Sequence, residues 1–175
     1  MSQREGSSVH AHRHGAKQAL SAVVITVSDT RTLETDTGGA LLIELLESAG
    51  HRVAERAIVP DEVDAIRKAV DAAIMRDDVH VVLLTGGTGI AARDVTPEAL
   101  EPILDRVFPG FGELFRSLSY QEIGSAAMLS RAFAGTARGR VVVALPGSRA
   151  AIRLAMERLL LPELSHLAAE ATKGA

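Results

Sequence analysis

The stretch LLTGGTGIAARDVTPEAL, residues 83–100, joins an apolar run to a proline-marked helix through a loop that has almost no side chains. The run VHVVLL at residues 79–84 is short, apolar and rich in β-branched residues, which is typical of a strand buried on both faces. Thr96 is suited to cap a helix that has Pro97 at its first position and Glu98 in its first turn. We therefore predict a strand, a glycine loop and a helix in that order.

The same alternation of strand and helix extends in both directions from this stretch. Apolar, β-branched runs predict further strands, and aliphatic residues at helical spacing predict the helices between them. Strands that are apolar throughout and separated by amphipathic helices indicate a mostly parallel sheet covered on both faces. The sequence thus predicts an α/β domain of three αβα layers. The predicted strands are 22–28, 51–60, 79–84 and 140–146, and the predicted helices are 37–50, 61–75, 97–107, 110–131 with loops, and 148–172 with a kink at Pro162.

Length and composition limit the classes of protein that this chain can be. Its 175 residues, 47% of them hydrophobic, suit one compact domain with a single core. A net charge of -3 without a basic stripe argues against binding to nucleic acid or to an anionic membrane. The lack of cysteine excludes disulfides, thiol catalysis and thiolate metal sites. Because we find neither a signal-peptide core nor an apolar run of about 18 residues, we predict a cytoplasmic protein.

The first residues differ in character from the rest of the chain. Residues 1–18, MSQREGSSVHAHRHGAKQ, show no hydrophobic periodicity, and we predict a disordered tail followed by a single domain at residues 19–175. His10, His12 and His14 alternate along this tail. Alternating imidazoles can converge on one ion, so metal chelation stays open as the alternative to a solvated leader.

The glycine loop TGGTG, residues 85–89, lies where ligands collect in parallel sheets, beyond the carboxyl end of a strand. Glycines allow positive φ and let backbone N–H groups approach a ligand, and a run of such groups can form a nest for phosphate oxygens. We therefore predict a phosphate-binding loop. A flexible strand-to-helix turn is the alternative.

Two common phosphate-loop motifs do not fit this loop. No Lys-Ser or Lys-Thr follows the glycines, so the lysine of a Walker loop is missing. Gly87, Gly89 and Ala92 formally match the dinucleotide motif G-x-G-x-x-A, but the predicted helix begins several residues too late. Asp105 lies inside a helical pattern and not at the end of the next strand. These features disfavour a nicotinamide or flavin site.

Two aspartates follow predicted strands, Asp61 after the second strand and Asp94 after the glycine loop. A carboxylate beside bound phosphate would repel it unless a cation intervenes, and Mg²⁺ typically joins one or two carboxylates to substrate phosphates. The pair therefore predicts an Mg²⁺-nucleotide site. As the alternative for Asp61, the same residue fits the cap or first turn of the helix ahead of Val63.

Three stretches in order resemble the MoaB/Mog family of molybdenum cofactor biosynthesis proteins: TGGTGIAARDVTPEAL, PGFGELFRSLSYQEIGSAAMLSRAFAG and VVALPGS. ITVSDTR and IVPDE also fit, and the resemblance runs from about Ala22 to beyond Ile152. GFGELFRSLSYQEIG is closer to the MoaB branch, in which some members lack the acidic pair that is present here. The resemblance implies a mixed, mainly parallel sheet, a molybdopterin-binding fold and assembly into homotrimers or hexamers built as dimers of trimers.

In the Mog branch, the activity is Mg²⁺-dependent adenylylation, in which ATP and molybdopterin give adenylyl-molybdopterin and pyrophosphate before molybdate insertion. The resemblance implies that Asp61 and Asp94 are catalytic and hold Mg²⁺, and it makes the downstream molybdate-insertion protein a candidate partner. By position, it also assigns Ser28, Thr85, Gly86, Gly87, Thr88, Gly89, Gly110, Gly112, Glu113, Pro146, Gly147 and Ser148 to the nucleotide and phosphate pocket, and Ser125, Ser130 and Arg131 to molybdopterin.

The chemistry of adenylyl transfer suits these residue types. The substrate's own phosphate attacks the α-phosphorus of ATP, so the protein needs positioning donors and charge neutralisation more than a nucleophile. Arg131 or Arg93 could balance developing charge, with a solvated surface charge as the alternative for each. The apolar residues of GELFRSLSY favour core or subunit interface over pterin stacking.

Three hypotheses follow from the sequence: an adenylyltransferase acting on molybdopterin, a noncatalytic molybdopterin-binding or carrier protein, and an NAD-type oxidoreductase. The acidic pair favours the first, and the late helix start disfavours the third.

Overall fold

The structure is a computed structural model that describes residues 18–173. The predicted tail, apart from Gln18, and its three histidines lie outside the described residues. Six strands are formed by β1 (Ser21–Val27), β2 (Arg52–Val59), β3 (Val81–Thr85), β4 (Arg106–Val107), β5 (Phe133–Ala137) and β6 (Arg140–Leu145). The α-helices are α1 (Thr37–Ser48), α2 (Val63–Ile74), α3 (Thr96–Leu100), α4 (Pro109–Ile123), α5 (Arg149–Ala155) and α6 (Leu161–Thr172).

The six strands form one sheet in the order β2-β1-β3-β6-β5-β4. Strands β2, β1, β3 and β6 are mutually parallel, whereas β5 pairs antiparallel with both β6 and β4. The carboxyl ends of the four parallel strands therefore meet at one edge of the sheet. β2 lies on one side of β1, and the next strand in the chain, β3, lies on the other side. The strand order therefore reverses direction at β1, and ligands of open α/β sheets bind at such a switch point.

Two apolar clusters cover the two faces of the sheet. Alternate residues of β1, such as Val24 and Val23, face opposite clusters. The first cluster packs α1, α4, α5 and α6 on one face, and the second packs α2 and α3 on the other. The predicted three-layer αβα domain with a mixed, mostly parallel sheet is confirmed. None of the helices within residues 18–173 is long and apolar enough to cross a membrane.

The predicted helix at residues 97–107 is wrong in its second half. Helix α3 ends at Leu100, a 3₁₀ turn spans Glu101–Ile103, and Arg106–Val107 form β4. Pro102 has no N–H to donate to the carbonyl four residues earlier, so the α-helix cannot continue. Arg67 of α2 instead donates its Nε to the Ala99 carbonyl at 3.0 Å and its Nη2 to the Glu98 carbonyl at 3.1 Å.

The other predicted elements lie within a few residues of those observed, and β5 is an addition. The helical region predicted at 110–131 consists of α4 and a 3₁₀ helix over Gly124–Leu129. The predicted long C-terminal helix contains a π-helical turn at Met156–Leu160, immediately before the proline-marked start of α6. The predicted long helix is therefore irregular just before Pro162, and the kink at Pro162 itself stays a prediction.

Candidate functional site

The glycine loop that follows β3 lies between the loops that follow β1 and β6. The Gly86 N–H donates to the Leu145 carbonyl at 3.0 Å, and the Thr85 hydroxyl donates to the Pro146 carbonyl at 3.0 Å. On the other side, a Cβ on Gly86 would stand 2.3 Å from the Val27 carbonyl oxygen. Only a glycine therefore allows the three strand ends to approach this closely.

Two glycines of the loop adopt backbone conformations that other residues rarely adopt. Gly86 has φ +105° and Gly87 has φ +65°. A Cβ on Gly87 would also lie 2.4 Å from the Thr96 hydroxyl oxygen, and one on Gly89 would lie 2.6 Å from an Asp94 carboxylate oxygen. The loop's sequence of small residues is thus required by its turns and by the side chains packed against it.

Four consecutive carbonyls of the loop accept hydrogen bonds from only two residues. Thr96 donates its hydroxyl to Gly86 at 2.9 Å and its N–H to Gly87 at 3.0 Å. Arg131 donates its N–H to Thr88 at 2.8 Å and its Nε to Gly89 at 2.7 Å. Among residues 18–173, no protein acceptor is hydrogen-bonded to the N–H groups of Gly87, Thr88 or Gly89. The carbonyls are thus held by the protein, whereas these three N–H groups have no described hydrogen-bond acceptor; Thr88 itself is buried.

This geometry corrects the capping predicted for α3. Thr96 is the first residue of that helix, Val95 holds the cap position, and no side chain caps it. The Thr96 hydroxyl instead donates to Gly86, as described above. The capping alternative for Asp61 is not observed either, because Glu62 holds the cap position of α2 without a side-chain cap.

Asp61 is paired with Asp29, an aspartate that follows β1. The Asp29 N–H donates to Asp61 Oδ2 at 3.1 Å, and the Asp61 N–H donates to Asp29 Oδ1 at 3.0 Å. Burial raises the pKa of Asp61 above its ordinary value, and the carboxylates of Asp29 and Asp94 raise it further, against opposing effects of the Asp29 N–H and Arg93. The site thus concentrates negative charge at the end of β2.

Asp94 is anchored inside the turn that carries the loop into α3. Its Oδ2 accepts the Ala91 N–H at 2.8 Å, and the Ala91 carbonyl accepts the Asp94 N–H at 2.9 Å. The carboxylate packs against Gly89, while that of Asp61 lies near Gly87, where a Cβ would be 3.4 Å from its Oδ1. The structure therefore brings both predicted catalytic aspartates to the glycine loop.

Arg131 contacts the same loop through most of its guanidinium group. Besides the bond to Gly89, Nη2 donates to the Asp94 carbonyl and Nη1 pairs with the Glu98 carboxylate. The hydrogen bond from Arg131 lowers the pKa of Glu98. Arg131 is thus joined to the loop and to the helix after it.

Ser28 and Ser148 use their side chains to shape neighbouring turns. Ser28 Oγ accepts the N–H groups of Thr30 and Arg31, both at 3.2 Å. Ser148 caps α5 by accepting the Ala151 N–H at 3.2 Å. Both residues lie at the same strand-end edge as the glycine loop, as the sequence predicts for members of one pocket.

The predicted site residues between 110 and 130 lie in α4, in the 3₁₀ helix after it and just before β5. Gly112 is buried against the residue that precedes β5, since a Cβ there would be 2.8 Å from the Ala132 carbonyl oxygen. Ser130 directly precedes Arg131, and its Oγ accepts the Ala132 N–H at 3.3 Å. Gly110, Glu113 and Ser125 are exposed and have no described contact with the glycine loop. Their roles stay predictions.

Two acidic residues beside the site are absent from the residues predicted from the sequence. Asp29 was detectable as a second acid directly after a predicted strand. The other is buried Asp36, which accepts hydrogen bonds from Thr26, Gly39 and Arg56 at 2.8 to 2.9 Å. Burial opposes ionisation, but these bonds lower the pKa of Asp36 and fix the start of α1. An aspartate ahead of Thr-Gly-Gly was the available signal.

The carboxylates are compatible with Mg²⁺. Within the described part of the chain, no group of three or more His, Asp or Glu side chains is arranged to hold a metal ion. Mg²⁺ needs only one or two protein carboxylates when substrate phosphates and water complete its shell. Asp61 and Asp94, whose carboxylates both lie beside the glycine loop, match that requirement. A groove of about 690 Å³ lies elsewhere, between β4, the β5–β6 turn and α6, and none of the predicted site residues lines it.

Comparison with known proteins gives consistent matches along nearly the whole chain. Residues 23–166 match the model of a family described as a probable molybdopterin binding domain. Molybdenum cofactor biosynthesis protein B of Bacillus subtilis (strain 168) is 52% identical over 167 residues, which cover 95% of this chain and 98% of that protein. A crystal structure of a molybdenum cofactor biosynthesis protein B has 52% identity and a TM-score of 0.88, covering 91% of this chain and 99% of that one. The tungsten cofactor synthesizing protein MoaB from Pyrococcus furiosus is 38% identical with a TM-score of 0.80, covering 90% of this chain and 99% of that one.

Proposed function

The chain belongs to the molybdopterin-binding domain family of molybdenum cofactor biosynthesis proteins, and on that premise we propose that it transfers AMP from ATP to the terminal phosphate of molybdopterin. In this reaction, a phosphate oxygen of molybdopterin bonds to the α-phosphorus of ATP. The bond from that phosphorus to the bridging oxygen of the β-phosphate breaks, and pyrophosphate leaves. The products are adenylyl-molybdopterin and pyrophosphate.

One observation carries the proposal, namely the orientation of the glycine loop. Its carbonyls from Gly86 to Gly89 are bonded to Thr96 and Arg131, and the N–H groups of Gly87, Thr88 and Gly89 are left without a protein acceptor among the described residues. Free N–H groups in a glycine turn at a strand end form an anion site.

Preorganised donors are what this reaction requires from the protein. Both reactants carry phosphate, so the main barrier is bringing two anions into line. The loop amides would align phosphate oxygens, and Asp61 and Asp94 would hold Mg²⁺. When bound, Mg²⁺ supplies charge neutralisation between the carboxylates and the phosphates. The nucleophile belongs to the substrate, which is consistent with a chain that has no cysteine.

A noncatalytic role in binding or carrying molybdopterin is the second candidate. It uses the same anion site without ATP, and it is favoured by one feature: Gly110 and Glu113, which the resemblance assigns to the nucleotide and phosphate pocket, have no described contact with the glycine loop. The presence of both Asp61 and Asp94 beside that loop favours the transferase.

We also propose that the protein is a homo-oligomer, a trimer or a dimer of trimers. Between residues 120 and 129, four large hydrophobic residues are exposed: Tyr120 by 63%, Ile123 by 58%, Met128 by 72% and Leu129 by 48%. Exposed apolar residues concentrated in one segment are typical of subunit interfaces. A molybdate-insertion protein that accepts the adenylylated product is the proposed downstream partner.

The test is to incubate the purified protein with ATP, Mg²⁺ and molybdopterin and to measure pyrophosphate and adenylylated pterin. Asp94→Asn should reduce the rate by at least about 100-fold, since positioning and charge neutralisation are lost together. Asp77→Asn, at a fully exposed site outside the loop, is the matched control and should keep wild-type activity. Pterin binding without product in the folded wild-type protein would reject the transferase and leave the carrier.

A further inference from the structure

We propose that Arg131 is a positioning residue, which holds the carbonyls of the glycine loop away from the ligand so that the loop amides face it. This differs from direct contact with the pterin, which the resemblance implies for the same residue. The proposal rests on the proposed function only in taking the ligand to be a phosphate-bearing molecule.

The contacts of Arg131 span the whole connection between β3 and α3. Its backbone N–H and its Nε bond to neighbouring carbonyls, those of Thr88 and Gly89, at 2.8 and 2.7 Å. Its Nη2 donates to the Asp94 carbonyl and its Nη1 to the Glu98 carboxylate. Each of the three guanidinium nitrogens therefore has a partner in the segment from 89 to 98.

The direction of these bonds determines which groups of the loop face outward. If the Gly89 carbonyl were released, its peptide plane could rotate, because glycine imposes little restriction on the backbone. A carbonyl turned towards a phosphate would repel it, and the Ile90 N–H, which belongs to the same peptide plane, would turn away from the ligand. The Gly89 N–H belongs to the plane of the Thr88 carbonyl, which the Arg131 backbone N–H holds. Because Nη2 also holds Asp94, the same side chain fixes the loop relative to a proposed Mg²⁺ ligand.

The geometry requires arginine and not simply a positive charge. A guanidinium group places rigid donors in three directions, whereas a lysine offers one compact ammonium on a flexible chain. A lysine at this position could not bond Gly89, Asp94 and Glu98 together. The Glu98 carboxylate pairs with Nη1 and so orients the guanidinium group, although it does not contact the loop carbonyls itself.

The experiment compares Arg131→Lys, Arg131→Ala and Glu98→Gln with the wild type. Arg153→Ala is the control, since it removes an exposed arginine paired with Glu157 on the exposed side of the C-terminal helices. Amide hydrogen exchange is measured without ligand at Ala91, Asp94 and Thr96, whose N–H groups are bonded inside this turn. The kcat for AMP transfer and the KM for each substrate are measured in parallel, with and without added guanidinium ion for Arg131→Ala.

We expect exchange at these three amides to accelerate at least about 10-fold in Arg131→Ala and Arg131→Lys, and less in Glu98→Gln. The kcat should fall by about 100-fold, as for a reacting group that is misplaced by about 1 Å, and guanidinium should restore part of it. The control should change neither quantity.

Unchanged exchange in Arg131→Ala would overturn the proposal, whatever happens to activity. A rise confined to the KM for molybdopterin, with wild-type exchange, would also overturn it and would indicate direct substrate contact. If the wild type transfers no AMP, the proposed function fails, but the exchange measurement still decides whether Arg131 holds the loop. Glu98→Gln keeps the test usable if both arginine variants fail to fold.

Discussion

The glycine loop shows how residues without side chains can depend on side chains elsewhere. The geometry of this proposed anion site is fixed by Thr96 and Arg131, which bond its carbonyls, and by the close approach of Gly86 to Val27. The loop sequence alone is compatible with a flexible turn. What makes the loop a candidate site is the set of bonds that leaves its N–H groups free.

Replacing a glycine of this loop should therefore be far more damaging than replacing an exposed glycine with open space around it. In Gly87→Ala, the new Cβ would lie 2.4 Å from the Thr96 hydroxyl, at a φ of +65°. We expect a loss of about 2 to 4 kcal/mol in the free energy of unfolding. Gly110→Ala is the matched control, since no atom lies within 4 Å of its added Cβ. Urea unfolding measures both, and equal losses in the two variants would contradict the loop geometry.

The raised pKa of Asp61 predicts a conflict between stability and function. A carboxyl whose pKa is higher in the folded state favours folding below its unfolded pKa, and that contribution is lost as the pH rises through the folded pKa. Asp61→Asn removes the ionised group but keeps an acceptor for the Asp29 N–H. At pH 7 without Mg²⁺, the variant should melt about 1 to 3 °C higher than the wild type while losing AMP transfer. The difference in Tm should shrink as the pH falls towards 4.

Asp64→Asn is the control for that effect. Asp64 is an exposed acid in the first turn of α2, where its charge favours the helix. This variant should melt at or slightly below the wild-type temperature at pH 7. A Tm that is equally raised in both variants would indicate a general effect of net charge and not the environment of Asp61.

At the level of elements, the turn between β5 and β6 contains the one non-glycine residue with positive φ among residues 18–173. Arg138 has φ +48° and Gly139 has φ +73°, the pattern of a two-residue hairpin turn that prefers Asn-Gly. Arg138→Asn should therefore stabilise the protein by about 0.5 to 1 kcal/mol. In the opposite direction, Gly139→Ala should destabilise it by about 1 to 2 kcal/mol. Thermal unfolding of the two variants checks the signs, and a destabilised Arg138→Asn would exclude strain at this turn.

The elements that the sequence predicts well are those with a strong local pattern. Three of the four parallel strands, β1, β3 and β6, are nearly continuous apolar runs, and α1 and α2 have clear apolar stripes, so β1 and α2 lie close to their predicted positions. β5 has the sequence FAGTA and β4 has only two residues, so neither shows the hydrophobic pattern by which a strand can be predicted. β4 forms only through its antiparallel pairing with β5, which joins segments about 30 residues apart in the chain.

The same distinction applies to the candidate site. Asp61, Asp94 and the glycine loop could be placed at one edge because all follow parallel strands. The partners of those residues could not be predicted. Arg131 is 42 residues from Gly89, and Asp29 is 32 residues from Asp61, so their hydrogen bonds depend on the tertiary fold. Local rules assign Thr96 to a helix cap, whereas tertiary contact gives its hydroxyl to Gly86.

For the whole molecule, the distribution of exposed apolar residues distinguishes a monomer from an assembly. Single exposed hydrophobic residues are ordinary on protein surfaces, and Met75, at the end of α2, is one of them. The segment from Tyr120 to Leu129 is different, because four such residues lie within ten positions across α4 and the following 3₁₀ helix. The sheet already buries both of its faces, so this segment is not needed to complete the core.

If this segment is a subunit interface, a charge placed in it should dissociate the assembly without unfolding the subunit. Met128→Glu introduces a carboxylate at a side chain that is 72% exposed in the single chain, so an isolated subunit tolerates it, whereas a buried interface would have to desolvate the charge. Met75→Glu makes the same chemical change at a residue that is 63% exposed and lies outside the segment. Light scattering coupled to size-exclusion chromatography should give the mass of a trimer or hexamer for the wild type and for Met75→Glu, and a mass near the 18.5 kDa subunit for Met128→Glu. Dissociation by both substitutions, or by neither, would exclude the segment as the specific contact, because only burial in the assembly makes the two methionines differ.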